Sequence, residues 1–486
     1  MKTVAAAPIR AICSLYSWRL PRTLIYMLQN TEYRVAPYLQ WFWHTTHFEK
    51  IMYRRTLEPT RPARLLLAAM YAGIGVQLAA GILLLYLWHF HGLAGGLAFG
   101  VAALISWPVV WAHAIVAPLV VGRVCILAPR NAAAVHASRQ IFGKFSGVKI
   151  AVAGSYGKTS MKELLHTVLA EGKTVAATPA NKNVAISHAA FARSLKGNEE
   201  ILVIEYGEGA PGDVARFAAV TQPTHAVITG LAPAHLDRYK TLQAAGEDIF
   251  SLAKAVPPAN VFVNKESPSA QKFVRKTYHL YGQTGALGWN VQGVRVTVQG
   301  TSFTMKKGKE ILQLHSGLVG RHQVGPLAFA AALARTLGLT RAEVEKGVAK
   351  TKPFEHRMQP YQLSGAWVVD DTYNGNIEGV RVGLELLQQL PAKRKIYITP
   401  GLVDQGAETA AVHQEMGRLI AAAKPDMVVL MQHSVTSFIQ KGLEAGDFKG
   451  ELLLESDPLN FYNNLSLFVA TGDLVLMQND WPDNYT

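Results

Sequence analysis

"KIAVAGSYGKTSMKELL", Lys149 to Leu165, is the stretch on which the fold turns. Its first residues read as a short buried strand, "GSYGKTS" (Gly154 to Ser160) as a tight glycine turn, and the rest as the start of a helix. The turn fits the shorter phosphate-loop form GxxGK[ST]. Backbone N–H groups from Gly154, Ser155 and Gly157 to Ser160, at a helix N-terminus, can surround a phosphate; Lys158 can reach its outer oxygens, and the Thr159 hydroxyl can ligate Mg²⁺. A glycine turn without function fits the short pattern too, but the strand before it and the helix after it are the context that phosphate binding requires.

Downstream, "EILVIEYG", "THAVITG" and "ANVFVNK" read as further buried parallel strands, with helices over Ser160 to Ala170 and Thr241 to Ala255. This βαβ series predicts a doubly wound α/β P-loop domain over residues 147–352. Within it, the polar stretch 277–316 alternates at period two and reads as an antiparallel meander, and "PLAFAAALARTLGL" closes the domain with a helix. Proline and charge in "KTKPFEHRMQP" mark a boundary. Beyond it, "AWVVDDTYN", "KIYITPG", "DMVVLM" and "GDLVLMQND" alternate with helices over Ile377 to Leu390 and Thr409 to Ala423, predicting a smaller Rossmann-like α/β domain over residues 353–486.

Parallel strands deliver their C-terminal ends to one crevice. Glu205 closes the strand "ILVIE" and His235 follows the next one, so Thr159, Glu205 and His235 are candidates to converge on Mg²⁺. Taken alone, His235 is an ordinary loop histidine. Asn264, at a strand end, reads equally as a nucleotide contact or a turn asparagine.

The first third of the chain is different. Residues 65–88 carry no charged side chain over 24 positions; as a helix they span ~36 Å against a hydrocarbon core of ~30 Å. A second uncharged run, 93–122, contains Pro108 and Pro118 and reads as one kinked helix or a helix that ends early. With only "HFHG" between them, the runs predict an α-helical transmembrane hairpin over residues 65–122, both ends on one side. Residues 1–149 hold 15 Lys+Arg against 3 Glu, a balance of +12 out of the chain's +14. Arg61 and Arg64 precede the hairpin and Arg123 and Arg130 follow it, while its tip has neither Lys nor Arg. This is a topology signal placing both flanks in the cytoplasm, not a nucleic-acid footprint. The expected location is the inner (cytoplasmic) membrane, multi-pass, with residues 1–64 a basic, aromatic juxtamembrane region in contact with membrane lipid and residues 123–146 a linker. Tyr38 to Arg55 reads as an interfacial anchor, with a lipid-headgroup or substrate contact as the alternative. Arg10 interrupts any signal-peptide core, so no cleavage is expected. Cys13 and Cys125 suit a reducing compartment.

"GSYGKTSMKELL", "TPANKNVAIS", "EYGEGAPGDV", "THAVITGLAPAHLDRY", "GRHQVGPLAFAAALA" and "DDTYNGN" together resemble, in order and approximate spacing, the Mur ligase family. The resemblance is strongest to the branch that adds D-alanyl-D-alanine to the peptidoglycan precursor, and covers residues 147–486. It implies ATP and Mg²⁺ as cofactors and an amide ligation through an acyl phosphate, between a carboxylate substrate, lipid-linked or a muropeptide, and an amine such as an amino acid or dipeptide. By that resemblance Lys158 stabilises the transferring phosphoryl group, Thr159 and Glu205 hold one Mg²⁺, and His235 helps hold a second. Asn181 and Asn183 match the family's "GN.NN" segment, Arg357 the arginine between domains, and Asp371 and Asn374 the residues brought to the nucleotide on closure. Without it, Asp371 and Asn374 are an Asx turn and Arg357 a linker arginine.

There are departures. The hairpin stands where the family has its uridine-nucleotide-binding domain, and after "AHL" no lysine comes until Lys254, where the family has one, carbamylated, between metals. Glu247 or Asp248 is a candidate replacement for its charge. Gln323 stands where the family has an asparagine. Beside a membrane-anchored ligase, the pattern accommodates an amide ligase like poly-γ-glutamate synthases, or a nucleotide-binding scaffold for cell-wall enzymes.

Overall fold

The computed structural model describes residues 14–31, 33–45, 48, 57–180, 182–232, 236–373, 375–403, 405 and 408–479. The chain divides into two compact units, residues 1–132 and 133–486.

In the first unit, helices α1 (Leu20–Asn30) and α2 (Val35–His44) precede two long apolar helices, α3 (Arg61–His91) and α4 (Gly96–Ala114). The Thr60 hydroxyl caps α3 by accepting from the Ala63 N–H, Pro62 sits in its first turn, and Gly92 ends it in the left-handed conformation at φ +63°. The two long helices pair through glycines: a Cβ on Gly100 would lie 2.9 Å from the Gly81 carbonyl, and one on Gly96 2.8 Å from that of Leu84. Gln77 ties them further, donating to Ala103 O at 3.0 Å and accepting from Trp111 Nε1 at 2.8 Å.

Along α3 the buried residues are Ala63, Met70, Ile74 and Gly81, whereas Leu65, Val76, Ile82, Leu83 and Tyr86 face outward. By length and composition α3 and the helical run from Gly96 are able to cross a membrane. In the helices preceding them, Leu24, Ile25, Tyr38 and Phe42 share a core with Met70, Ile74, Trp107 and Ala112, and the Tyr38 hydroxyl donates to Ala112 O at 3.0 Å; of the expected interfacial anchor 38–55, residues 46, 47 and 49–55 lie outside the described residues. The second run does not end at Pro118. It continues as α5 (Val116–Val121), a π-helical segment (Gly122–Leu127) and α6 (Ala128–Lys144), so most of the expected linker is helix. The alanines of "NAAAVHA", strong helix formers, account for this. Cys125 is a free, exposed thiol, and Cys13 lies outside the described residues.

The second unit holds two sheets. The larger collects β1 (Val148–Ala153), β2 (Val175–Ala177), β3 (Ile201–Glu205), β4 (His225–Ile228), β5 (Val261–Asn264), β6 (His279–Gly282), β7 (Gly285–Ala286), β8 (Trp289–Thr297), β9 (Gly300–Lys307) and β10 (Glu310–Ser316) in the order β10-β9-β8-β7-β6-β5-β4-β1-β3-β2. Strands β1 to β6 are parallel and β6 to β10 antiparallel, so the polar meander is a continuation of the main sheet and its first strand runs parallel to β5. Helix α7 (Lys158–Leu169) buries Met161, Leu164, Leu165, Val168 and Leu169 against one face; α8 (Ala185–Ser194) and α9 (Asp213–Thr221) cover the other with Phe191, Val214 and Phe217. The helix expected to reach Ala255 stops earlier, as α10 (Leu242–Ile249), where the Ser251 hydroxyl turns back to Asp248 O.

The smaller sheet has the order β11-β12-β16-β13-β14-β15, built from β11 (Gln359–Leu363), β12 (Ala366–Asp371), β13 (Arg394–Thr399), β14 (Met427–Met431), β15 (Glu451–Glu455) and β16 (Asp473–Gln478); all neighbours are parallel except β11 with β12. Helix α11 (Ile377–Gln389) contributes Val380, Leu384, Leu386 and Leu387 to its core, where Val319 of the larger domain also packs.

Candidate functional site

Register fixes the site. Val152 of β1 pairs with Glu205 of β3 and Ala153 with Ile228 of β4, so three strands end level and their following loops share one edge. The loop after β1 needs its glycines: Gly154 has φ +147° and Gly157 φ +73°, and a Cβ on Gly154 would collide with Thr229 Oγ1. The neighbouring loop holds it in place, with Ser155 N–H donating to Gly230 O at 2.9 Å and the Thr229 hydroxyl donating to Tyr156 O. Thr159 and Ser160 lie in the first turn of α7.

Lys158 folds onto its own loop, donating to Gly154 O at 2.5 Å, and forms an ion pair with Glu208 at 2.7 Å. The Thr159 hydroxyl donates to Glu205 Oε1 at 3.1 Å, and Asn183 Nδ2 donates to the same oxygen at 3.1 Å. Glu205 Oε2 accepts no hydrogen bond and lies 3.6 Å from Lys162 Nζ. Lys162, fully buried, also holds the carbonyls of Thr178 (2.8 Å) and Ala180, which fixes the loop leading to Asn183. Behind Glu205, His188 Nε2 donates to its backbone carbonyl at 2.8 Å, and burial lowers the imidazole pKa to about 4.

The sequence candidates thus divide. Gly154, Ser155, Gly157, Lys158, Thr159, Ser160, Asn183 and Glu205 come together, while Asn181, His235 and Asn374 lie outside the described residues. Asn264 is engaged by backbone: its amide donates to Thr229 O at 2.9 Å and its carbonyl oxygen accepts from Glu266 N–H at 3.0 Å, which stitches the ends of β4 and β5. Arg357 stacks over Tyr373 at 4.1 Å. Asp371 accepts from Gln478 Nε2 at 2.8 Å and from Met358 N–H at 3.2 Å, and burial raises its pKa to about 6. Glu247 is exposed and accepts from Gln243, and Asp248 accepts from the Tyr239 hydroxyl at 2.7 Å and Gly212 N–H at 2.9 Å. Both are occupied in local structure.

Sequence reasoning missed Glu208, Lys162 and Tyr156. Tyr156 packs against Gly230, and its hydroxyl pKa is raised chiefly by burial and further by the carboxylates of Glu378, in the first turn of α11, and Glu266. A GxxGKT loop with an aromatic in a variable position was the available signal.

Does this oxygen-rich set suit a magnesium ion? Among the described residues no three His, Cys, Asp or Glu groups cluster as a metal site. Thr159 and Glu205 nevertheless supply a hydroxyl and a buried carboxylate oxygen without a hydrogen bond, hard donors of the kind Mg²⁺ takes when phosphate oxygens and water complete its shell.

Residues 152–334 match the family model described as the Mur ligase middle domain. UDP-N-acetylmuramoyl-tripeptide–D-alanyl-D-alanine ligase of Escherichia coli (strain K12) is 26% identical over 287 residues, 58% of this chain and 63% of that protein. The Mycobacterium leprae (strain TN) protein of the same name is 25% identical over 364 residues, 68% of this chain and 70% of that one. The chain therefore spans less than two thirds of the length of the E. coli relative. Among solved structures, the MurF ligase of Thermotoga maritima in complex with ADP superimposes with a TM-score of 0.63 at 25% identity, over 72% of this chain and 80% of that one. The Mur ligase middle domain and the smaller sheet after it thus form a Mur-ligase-like α/β fold.

Proposed function

We propose that this chain is a membrane-anchored, ATP-dependent carboxylate–amine ligase of peptidoglycan precursor synthesis, acting like the D-alanyl-D-alanine-adding relatives. The observation that carries it is the convergence of Lys158, Thr159, Asn183 and Glu205 at the edge of a Mur ligase middle domain. A substrate carboxylate oxygen attacks the γ-phosphorus of ATP and ADP leaves. The amine nitrogen then attacks the acyl-phosphate carbon, loses a proton, and inorganic phosphate departs. Lys158 is placed to stabilise charge on the phosphoryl oxygens, and the loop N–H groups orient them. Mg²⁺, held by Thr159 and Glu205 with His235 as a further ligand, would supply additional neutralisation of the phosphates. Asn183 keeps the Glu205 carboxylate aimed at the phosphate loop. Arg357 and Asn374 serve the nucleotide from the C-terminal domain, as Asn181 does from the central one, while Asp371 and Asn264 are held by hydrogen bonds within their own domains.

Anchoring in the cytoplasmic membrane is supported by the outward-facing apolar residues of α3 and the basic flanks at Arg61, Arg64, Arg123 and Arg130. It is tested by resistance to carbonate extraction.

The decisive assay supplies MgATP, D-alanyl-D-alanine and either UDP-N-acetylmuramoyl-tripeptide or a lipid-linked muropeptide. Phosphate release that requires both carboxylate and amine, with a product heavier by the dipeptide, is the expected outcome. Turnover with glutamate instead points to the poly-γ-glutamate-like alternative. A nucleotide-binding scaffold is the second reading, favoured by the occupation of Asp248 and Glu247 where the family has its metal-bridging lysine; nucleotide binding without turnover on any of these pairs selects it.

A further inference from the structure

Glu208 has no role in the mechanism above, yet it is among the least exposed carboxylates in the molecule. Its side chain is 4% exposed, and its Oε2 lies 2.7 Å from Lys158 Nζ without accepting a well-directed hydrogen bond. Among the described residues Lys158 is its ion-pair partner, and Lys158 is the group that a phosphoryl oxygen must claim. When nucleotide binds, a nearly buried carboxylate loses its cation. That state is strongly unfavourable unless another positive group takes the lysine's place.

The surroundings indicate which. Glu208 lines a cavity of about 160 Å³ together with Lys158, Asn183, Asp213, Val184 and Phe217. Gly207 and Gly209 leave room on either side of it, and Asp213, paired outward with the exposed Arg216, adds a second carboxylate. The space suits a small cationic head with a short apolar stem lying on Val184 and Phe217; a muramoyl peptide is too large for it. We propose that this cavity receives the ammonium end of the amine co-substrate, with Glu208 as its counter-ion, so that nucleotide and amine bind cooperatively by exchanging partners at the Lys158–Glu208 pair. The inference rests on the ligase reading. It adds an amine subsite beside the phosphate loop and an order to events: phosphate takes Lys158, and the ammonium takes the carboxylate that Lys158 releases. Before reaction the nitrogen then lies next to the acyl phosphate; once it has lost a proton to solvent its lone pair attacks the acyl carbon, the C–O bond to phosphate breaks and inorganic phosphate departs.

The test uses the full chain in detergent with the non-hydrolysable analogue AMP-PNP, Mg²⁺ and methylammonium chloride, against tetramethylammonium chloride at equal ionic strength. Tetramethylammonium carries the charge but no N–H donor. In the wild-type chain methylammonium should tighten AMP-PNP binding about five-fold or more, a coupling at the ordinary scale for linked sites. Glu208→Gln should bind AMP-PNP more tightly than wild type with no added amine, because Lys158 is unpaired, and should no longer respond to methylammonium. Asp213→Asn, which keeps Glu208, should weaken the response without abolishing it, and carries the test if the Glu208 variant does not fold. Wild-type binding that methylammonium leaves unmoved, or a response that survives in Glu208→Gln, overturns the subsite alone. Failure of AMP-PNP to bind the wild-type chain overturns the ligase reading, and the subsite with it.

Discussion

The central sheet ends β3 in Glu205 and carries Glu208 three residues on, whereas the C-terminal sheet ends β12 in Asp370 and Asp371. Each pair closes a parallel strand, and their surroundings differ. Asp370 accepts from His356 Nδ1 at 2.8 Å and from both the N–H and the hydroxyl of Thr372; Asp371 is served by Gln478 and the Met358 N–H. In the central domain, Glu205 Oε2 and Glu208 Oε2 accept no hydrogen bond and face the lysines at 162 and 158. Saturated carboxylates hold a fold together. A nearly buried carboxylate facing an exchangeable cation, as Glu208 faces Lys158, is arranged to change partners, which is what a ligand site needs.

The sharpest way to break this contrast is to remove the cation on the central side. Lys158→Ala should lower ligation turnover by roughly 10³-fold or more, because phosphoryl transfer depends largely on such placed charge. Arg357→Ala, on the C-terminal side, should cost far less. Phosphate-release assays under saturating MgATP compare them directly, and a similar loss for both would erase the distinction.

Titration offers a second contrast, with opposite signs. His188 has its pKa lowered to about 4 by burial, because a proton on Nδ1 finds no acceptor there. Between that value and 6.5 the unfolded chain carries the proton and the folded one does not, so its contribution is complete above pH 6.5 and is lost as pH falls towards 4. Asp371 has its pKa raised to about 6 by burial. Between 3.8 and 6 the folded state holds the proton and the unfolded chain does not, so its contribution is complete below pH 3.8 and is lost as pH rises through 6. Each shift corresponds to about 3 kcal/mol at the limit. Hydrogen exchange, measured without magnesium between pH 4.5 and 7.5, should show β1 and β3 loosening on acidification relative to β12 and β16. His188→Gln should flatten the first trend and Asp371→Asn the second; parallel trends in both sheets would contradict the assignment.

How far this was legible in sequence depends on what kind of placement each residue needs. The phosphate loop was readable because strand, glycine turn and helix are consecutive, and Glu205 because a strand end declares itself. Glu208 was not, since its meaning comes from the loop at 206–212 folding back to Lys158 across about fifty residues of chain. Asn264 kept both its sequence readings until the bonds to Thr229 and Glu266 showed what its side chain holds. Strand β2 is three small residues on an edge, too short for any alternation to show. The helix from Val116 to Lys144 hides behind two prolines and three arginines that punctuate a sequence without breaking its structure, because Pro118 and Pro129 fall early in α5 and α6 and Arg123, Arg130 and Arg139 are exposed.

The smallest expected effect tests whether the open side is also geometrically tight. A Cβ on Gly207 would lie 2.7 Å from Asn183 Oδ1 and 3.2 Å from Asn183 O, the carbonyl that accepts the Gly207 N–H at 2.8 Å. Gly207→Ala must therefore push Asn183 aside, and Asn183 Nδ2 is what steadies Glu205 Oε1. Losing one such hydrogen bond to a charged group is worth about 1.5–3 kcal/mol at most and about 1 kcal/mol where the carboxylate keeps another donor. Thr159 remains that donor, so the affinity for Mg²⁺-nucleotide should fall about five- to ten-fold while the melting temperature stays nearly unchanged. Asn183→Ala, which removes the obstructing side chain, should impose the same loss alone and add nothing when combined with Gly207→Ala. Additive losses in the double variant would mean that Gly207 acts on the site through something other than Asn183, and the link from backbone approach to carboxylate placement would have to be redrawn.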